Sequence, residues 1–75
     1  MTHTNDIELL SVVALTEDLP GRLLLRGQVG TVVEILAPDV FEVEFSDISG
    51  QTYAALAVPV SKLMRLHHEP NHQAA

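Results

Sequence analysis

The sequence predicts an all-β fold of five short strands, and three observations carry that prediction. Strand-length apolar or alternating runs recur along the chain and are separated by turn dipeptides. The longest β-branched run, residues 28–36, follows a glycine turn at Gly27 and contains Gly30. Hydrophobic residues make up 47% of the chain, but only three are aromatic, so we expect a small aliphatic core.

The length of 75 residues fits one domain, for which we expect a frayed segment at residues 1–8, an ordered barrel at 9–66 and a flexible tail at 67–75. The absence of cysteine excludes disulfides and thiolate metal sites. No apolar run approaches the roughly 18 residues of a membrane span, and the first residues lack the basic region of a signal peptide. The expected location is the cytoplasm.

Residues 11–16 have the length and composition of a first strand. Residues 17–27 then form a long loop, because Pro20-Gly21 and Arg26-Gly27 are turn dipeptides. The three leucines between them, Leu23, Leu24 and Leu25, are too apolar for a solvated loop. We expect one or two of them to cover an end of the core, and the alternative is that the loop presents a leucine to a partner.

The residue pattern of the second and third strands, residues 28–36 and 40–47, predicts how they pair. Phe41, Val43 and Phe45 alternate with polar residues, so they mark the core face. A two-residue hairpin at Pro38-Asp39 would place Glu34 opposite Val43 and bury its carboxylate. The sequence therefore favours a five-residue connection, 36–40, with three core pairs: Ile35 with Phe41, Val33 with Val43 and Thr31 with Phe45.

Residues 47–51 are the clearest turn, with Gly50 at its left-handed position. This turn predicts that Phe45 pairs with Tyr53, Val43 with Ala55 and Phe41 with Ala57. Strand four, residues 52–58, ends at Pro59, and a single 3-10 turn at 60–63 precedes a closing strand at 64–66. This order of elements is typical of a small five-stranded SH3-like barrel.

Signatures of catalysis are absent from the sequence. The serines have no activating motif, and the glycines of residues 26–30 are followed by a strand and not by the lysine and helix of a phosphate loop. His68 and His72 have metal-ligand spacing, but Pro70 breaks the helix that would align them with His67 and Glu69. We therefore expect no metal, no cofactor and no enzyme activity.

Charge decides which partners the sequence favours. Four basic and ten acidic residues give a formal charge of −6, which repels nucleic acid and anionic membranes and attracts basic protein surfaces. The predicted register gathers Glu34, Glu42 and Glu44 into an acidic ridge, with Glu17 and Asp18 nearby in the loop as secondary candidates. The bland alternative is that these carboxylates only keep the domain soluble.

An apolar strip beside the ridge is the second predicted surface. In this register Val32, Leu36 and Leu56 point away from the core face, as does Val58 at the end of the strip. Any of them left uncovered by the loop leucines would suit a homo-oligomer or a heteromeric contact.

Three blocks taken in order, residues 11–20, 25–34 and 41–45, resemble a small bacterial family known as a domain of unknown function, four-nine-two-six. The resemblance extends from about Leu9 to Leu66 and implies an SH3-like barrel in a bacterial cytoplasm. It carries over no catalytic or binding residue. The fourth strand is richer in alanine than the family pattern, and the histidine tail lies outside the match.

The hypothesis for function is a non-catalytic acidic module that binds another protein, as the neutralising, antitoxin-like or immunity-like half, or the accessory half, of a two-protein system. The runner-up is a small regulatory subunit that contacts an enzyme through the apolar strip. An RNA-associated barrel is the third alternative, and the net charge disfavours it.

Overall fold

A computed structural model describes residues 6–67, which form five β-strands and two single-turn 3-10 helices. The elements are β1 (Val12–Leu15), η1 (Pro20–Arg22), β2 (Val29–Ala37), β3 (Val40–Ser46), β4 (Thr52–Pro59), η2 (Val60–Lys62) and β5 (Leu63–Arg65). All strand pairs are antiparallel, in the order β4-β3-β2-β1-β5. The predicted all-β class and the 3-10 turn before the last strand are confirmed. Over the described residues no ladder joins β4 to β5, so the sheet is open there.

The core takes side chains from all five strands, so the sheet curls around a single apolar centre. The largest side chains in this core are Phe41 and Phe45, which are 2% and 0% exposed. Its members are Val13, Leu15, Leu24, Val32, Phe41, Val43, Phe45, Leu56, Val58 and Leu63. The N-terminal Ile7 packs against the edge of this core cluster.

Gly30 is a position where neighbouring side chains leave no room for a Cβ atom. It lies in the central strand β2, directly opposite Phe45 on β3 and Val13 on β1. A Cβ atom at this position would lie 2.6 Å from Val43 Cγ1, 2.9 Å from the carbonyl oxygen of Glu44 and 3.0 Å from Phe45 Cδ2. The glycine is therefore required for space.

The ladder between β2 and β3 contains two irregularities, each with one extra residue on β2: Val33 and Leu36. The predicted pairing of Ile35 with Phe41 is confirmed, but Ile35 is 51% exposed and does not belong to the core cluster. The other two core pairs were predicted wrongly, because the extra residue Val33 brings Val32 opposite Val43 and Gly30 opposite Phe45.

The connection between these strands also differs from the prediction of a five-residue loop. Ala37 pairs with Val40, so only Pro38 and Asp39 lie between the strands. With this short turn, a regular ladder would bury Glu34. The extra residue Leu36 removes the conflict, because it restores the pairing of Ile35 with Phe41 and leaves Glu34 exposed.

The ladder between β3 and β4 is displaced by one residue from the prediction. Tyr53 is an extra residue between the pairs Ser46–Thr52 and Phe45–Ala54. Val43 therefore lies opposite Leu56, and Phe41 lies opposite Val58. The predicted pairing of the phenylalanines with Tyr53 and Ala57 is wrong for this reason.

The turn that joins β3 to β4 is organised by the Asp47 carboxylate. Its Oδ1 atom accepts hydrogen bonds from the Ser49 hydroxyl at 2.7 Å, the Ser49 N–H at 2.9 Å and the Gln51 N–H at 3.0 Å. These donors, the Ser49 side chain foremost, lower the pKa of Asp47. Gly50 has a φ of 87°, which confirms its predicted left-handed position.

The loop between β1 and β2 folds back over the core as a lid. Leu19 and Leu24 exchange two backbone hydrogen bonds, of 2.8 and 3.2 Å, around the 3-10 helix η1. Leu24 is 2% exposed and belongs to the core, whereas Leu23 is 89% exposed and Leu25 is 62% exposed. The loop therefore buries one leucine and leaves two in solvent.

We expect Gly30→Ala to lower the free energy of unfolding by about 1–3 kcal/mol, because the added methyl group enters space already filled by Val43 and Phe45. Urea denaturation measures the change. The matched control is Gly21→Ala, since nothing lies within 4 Å of the added Cβ and the φ of Gly21 is not positive. Equal stability of Gly30→Ala and the natural chain would contradict this packing.

The lid predicts a contrast between neighbouring leucines. Leu24→Ala should cost about 2–5 kcal/mol of unfolding free energy, because it leaves a cavity in the core. Leu23→Ala should change it by less than about 0.5 kcal/mol, because this side chain is in solvent. Thermal or urea unfolding of the two variants tests the assignment, and similar losses from both would refute it.

Asp47→Asn should destabilise the chain at pH 7, because the lost negative charge weakens the hydrogen bonds of the turn. The pKa of Asp47 is lowered by folding, so its contribution is present above the ordinary carboxyl pKa, about 3.9, and is lost as the pH falls through the lowered value. The difference in unfolding midpoint from the natural chain should therefore shrink in acid.

Thermal unfolding of Asp47→Asn and of the natural chain at pH 7 and about pH 2.5 provides the comparison. The lower pH is about one unit below the ordinary carboxyl pKa. Asp39→Asn is the control, because within residues 6–67 the Asp39 carboxylate accepts no hydrogen bond. If the difference in unfolding midpoint between Asp47→Asn and the natural chain were the same at both pH values, the ionised Asp47 carboxylate would not be what stabilises the turn.

Candidate functional site

The outer face of the sheet, the side that points away from the core cluster, carries the acidic ridge of Glu34, Glu42 and Glu44. Glu42 and Glu44 alternate along β3 with its buried residues, and Glu34 on β2 lies directly opposite Glu42. Directly opposed residues have Cβ atoms about 5 Å apart, and alternate residues of a strand are about 7 Å apart. The tertiary structure therefore brings together the three carboxylates that the sequence grouped.

These carboxylates have no cation partner among residues 6–67. Both ion pairs in that range are made by Arg65, with Asp6 at 4.0 Å and Glu8 at 3.9 Å. Glu34 is exposed, and Glu42 and Glu44 are half-buried. The acidic ridge is therefore an unneutralised concentration of charge on a hydrogen-bonded sheet.

The two acidic loop residues that were secondary candidates differ in what they contact. Asp18 Oδ1 accepts a hydrogen bond of 2.8 Å from the Arg26 N–H, so its carboxylate holds the two ends of the lid together. Glu17 is exposed and makes no hydrogen bond or ion pair with the rest of the described chain. Of this pair, Glu17 is the carboxylate left available to a partner.

The predicted apolar strip is not a continuous surface. Val32 is 0% exposed, Leu56 is 8% exposed and Val58 is 0% exposed, and all three belong to the core cluster. Their predicted orientation is wrong, because the extra residues Val33 and Tyr53 shift the pairing of β2 and β4 by one. Leu36 alone of the strip lies at the surface, where it is 47% exposed.

Tyr53 was predicted to lie mainly in the core, and the structure places it at the surface. Its side chain is 48% exposed, and its hydroxyl accepts a hydrogen bond of 2.9 Å from Gln28 Nε2. The contact ties the start of β4 to the residue that precedes β2. An exposed ring that is anchored in this way is available for contact with a partner.

The free edge of β4 was not predicted from the sequence. Among residues 6–67, this strand pairs with β3 alone and lies at the end of the sheet order. Its eight residues include no charged side chain, and Ala55 and Ala57 are exposed. The alanine richness of residues 54–57 was the available signal, since an edge that lacks charge is unusual in natural sheets.

One shallow cleft opens between the N-terminal turn and β5, with a volume of about 160 Å³. Sites for small molecules usually occupy several hundred Å³. Its lining comprises Glu8, Leu9, Leu10, Ser11, Val12, Arg65 and Leu66. The Ser11 hydroxyl oxygen in this cleft accepts a 2.9 Å hydrogen bond from the Glu8 N–H, so it serves the turn.

No group of three or more potential metal ligands occurs within residues 6–67. His67 is exposed at the end of this range. The other members of the histidine motif, His68, Glu69 and His72, lie outside the described residues. Across the described residues, no helix has the length and apolar composition needed to cross a bilayer.

The fold and the site together define a class: a small all-β protein whose open five-stranded sheet presents carboxylates on its outer face and an uncharged strand at its edge. Comparison with family models assigns the family. Residues 9–65 match the model described as domain of unknown function (DUF4926), and the chain belongs to that family. Comparisons with curated proteins and with solved structures give no match.

Proposed function

We propose that this chain is a non-catalytic module that binds another protein, and that the acidic ridge of Glu34, Glu42 and Glu44 binds a basic surface of that partner. The observation that carries the proposal is the grouping of three carboxylates on one sheet face without a cation from residues 6–67 to neutralise them. A cationic partner would supply the missing charge.

The position of the acidic ridge on strands favours binding over simple solvation. Strands β2 and β3, of nine and seven residues, are joined by one ladder, so the backbone positions of the three glutamates are fixed relative to one another. Groups fixed before binding lose less conformational entropy when a partner arrives. The net charge of −6 adds long-range attraction, which accelerates encounter with a basic protein.

A cellular role follows from size and charge. A small acidic protein that covers the basic surface of a companion suits the neutralising or accessory half of a two-protein system in the bacterial cytoplasm. The alternative of a regulatory subunit relied on the apolar strip, and the burial of Val32 and Leu56 leaves only Leu36 of its three main residues in support of that alternative. The net charge also disfavours RNA.

The ridge predicts a salt-dependent affinity for cationic probes. The triple substitution Glu34→Gln, Glu42→Gln and Glu44→Gln should weaken binding of an octalysine peptide by about tenfold at low salt, because the charges that face the peptide are removed. Fluorescence anisotropy at two salt concentrations measures the affinity and its salt dependence.

The control for this experiment changes the net charge equally at other positions. Asp6→Asn, Glu8→Gln and Asp39→Asn together remove three carboxylates that are not part of the acidic ridge, and two of them form only weak surface ion pairs with Arg65. The control should retain most of the affinity. Equal losses of affinity in the two triple variants would mean that net charge alone attracts the peptide. That result would refute the acidic ridge as the binding surface.

A further inference from the structure

The free edge of β4 combines two properties that natural sheets usually avoid together. The strand is long, with eight residues, and it carries no lysine, arginine or carboxylate that would repel an added strand. Natural edges of this length are normally interrupted by charge or covered. Pro59 limits the edge at one end, and the extra residue Tyr53 limits it at the other.

The pairing of β4 with β3 determines which backbone groups of β4 face outward. The Val60 N–H donates to the Asp39 carbonyl at 2.8 Å, and the Asp47 N–H donates to the Gln51 carbonyl at 3.0 Å. Hydrogen-bonded pairs alternate along an antiparallel ladder, so Val58, Leu56 and Ala54 bond to β3. The N–H and C=O groups of Ala55 and Ala57 therefore point away from the sheet.

The same two alanines lie directly beside the acidic ridge. Ala55 is opposite Glu44 and Ala57 is opposite Glu42, and both methyl groups are on the exposed outer face. An added strand would run about 4.8 Å beyond β4 and about 10 Å from β3. Because alanine has no side chain beyond Cβ, a long cationic side chain on the added strand can extend over it toward a glutamate.

We propose that the edge of β4 receives an extended basic segment of a partner protein as a sixth strand. Its main chain bonds to Ala55 and Ala57, and lysine or arginine residues at alternate positions extend over these alanines to Glu44 and Glu42. The inference rests on the proposed function and specifies the form of the partner. It is the recognition mode in which main-chain bonds supply affinity and alternate side chains supply specificity.

Charge complementarity selects this occupant over a second copy of the chain. Pairing of β4 with β4 of another copy would bring two acidic ridges toward one interface, and residues 52–59 contain no cation to offset them. A basic segment with alternating charge offsets both carboxylates of the ridge on β3.

Two eight-residue peptides of equal composition test the inference. In one, lysine and valine alternate, so that all lysines of a strand lie on one face, and in the other the four lysines precede the four valines. The alternating peptide should bind about tenfold more tightly. NMR titration of the labelled chain, followed by hydrogen exchange, should show protection of the Ala55 and Ala57 amides on binding.

Substitutions at the edge separate backbone pairing from charge. Ala57→Pro removes one outward N–H without removing a bond to β3, and it should weaken the alternating peptide about tenfold. Ala57→Ser keeps the N–H and should bind as the natural chain does. If the proline variant does not fold, hydrogen exchange of the natural chain with bound peptide decides instead, because pairing at the edge protects the Ala55 and Ala57 amides and attraction to the acidic ridge alone does not.

The outcomes distinguish this inference from the function on which it rests. The two peptides could bind equally well, with binding unaffected in Ala57→Pro but lost in the triple glutamine variant. That result would overturn strand pairing at the β4 edge and leave the acidic ridge as the binding surface. If neither peptide bound at low salt, both the edge pairing and the role of the acidic ridge would be overturned. A dimer in sedimentation with the two alanine amides protected before any peptide is added would assign the edge to a second copy.

Discussion

The missing side chain at Gly30 is the constraint on which the rest of the structure depends. Gly30 lies in the middle of the sheet, paired on one side with Val13 and on the other with Phe45. A single added carbon would meet Val43 at 2.6 Å. The space at Gly30 lets the aromatic and branched side chains of β3 pack closely against β2. A small, mainly aliphatic chain can therefore form a core without disulfide or metal cross-links.

Three extra residues then determine which side chains reach that core. Val33 and Leu36 on β2 and Tyr53 on β4 each interrupt the alternation of their strand. As a result Val32, Leu56 and Val58 turn inward, while Glu34 stays outside and opposite Glu42. The irregularities reconcile a tight turn at Pro38 and Asp39 with an exposed glutamate, two features that conflict in a regular ladder.

The same arrangement gives the surface two adjoining parts of different chemistry. The acidic ridge offers charge on the outer face, and β4 offers main-chain groups and small side chains at the open edge. The first attracts a cationic partner over a distance, and the second can fix the register of an extended chain once it arrives. Neither part requires a cavity, which agrees with the shallow cleft of this small domain.

The amino-acid sequence predicts the strands, the turn at Gly50 and the alternation of Phe41, Val43 and Phe45 with glutamates, because these features depend on local backbone preference and a period of two. It also grouped the acidic ridge, since Ile35 and Glu34 keep their predicted partners. Only the tertiary structure decided the register beyond them. An extra residue in a strand has no local signature, and its position is set by how neighbouring strands pack around Gly30 and Phe45. For the same reason, the exposed edge of β4 and the outward direction of its amides follow from its pairing with β3 and not from local sequence.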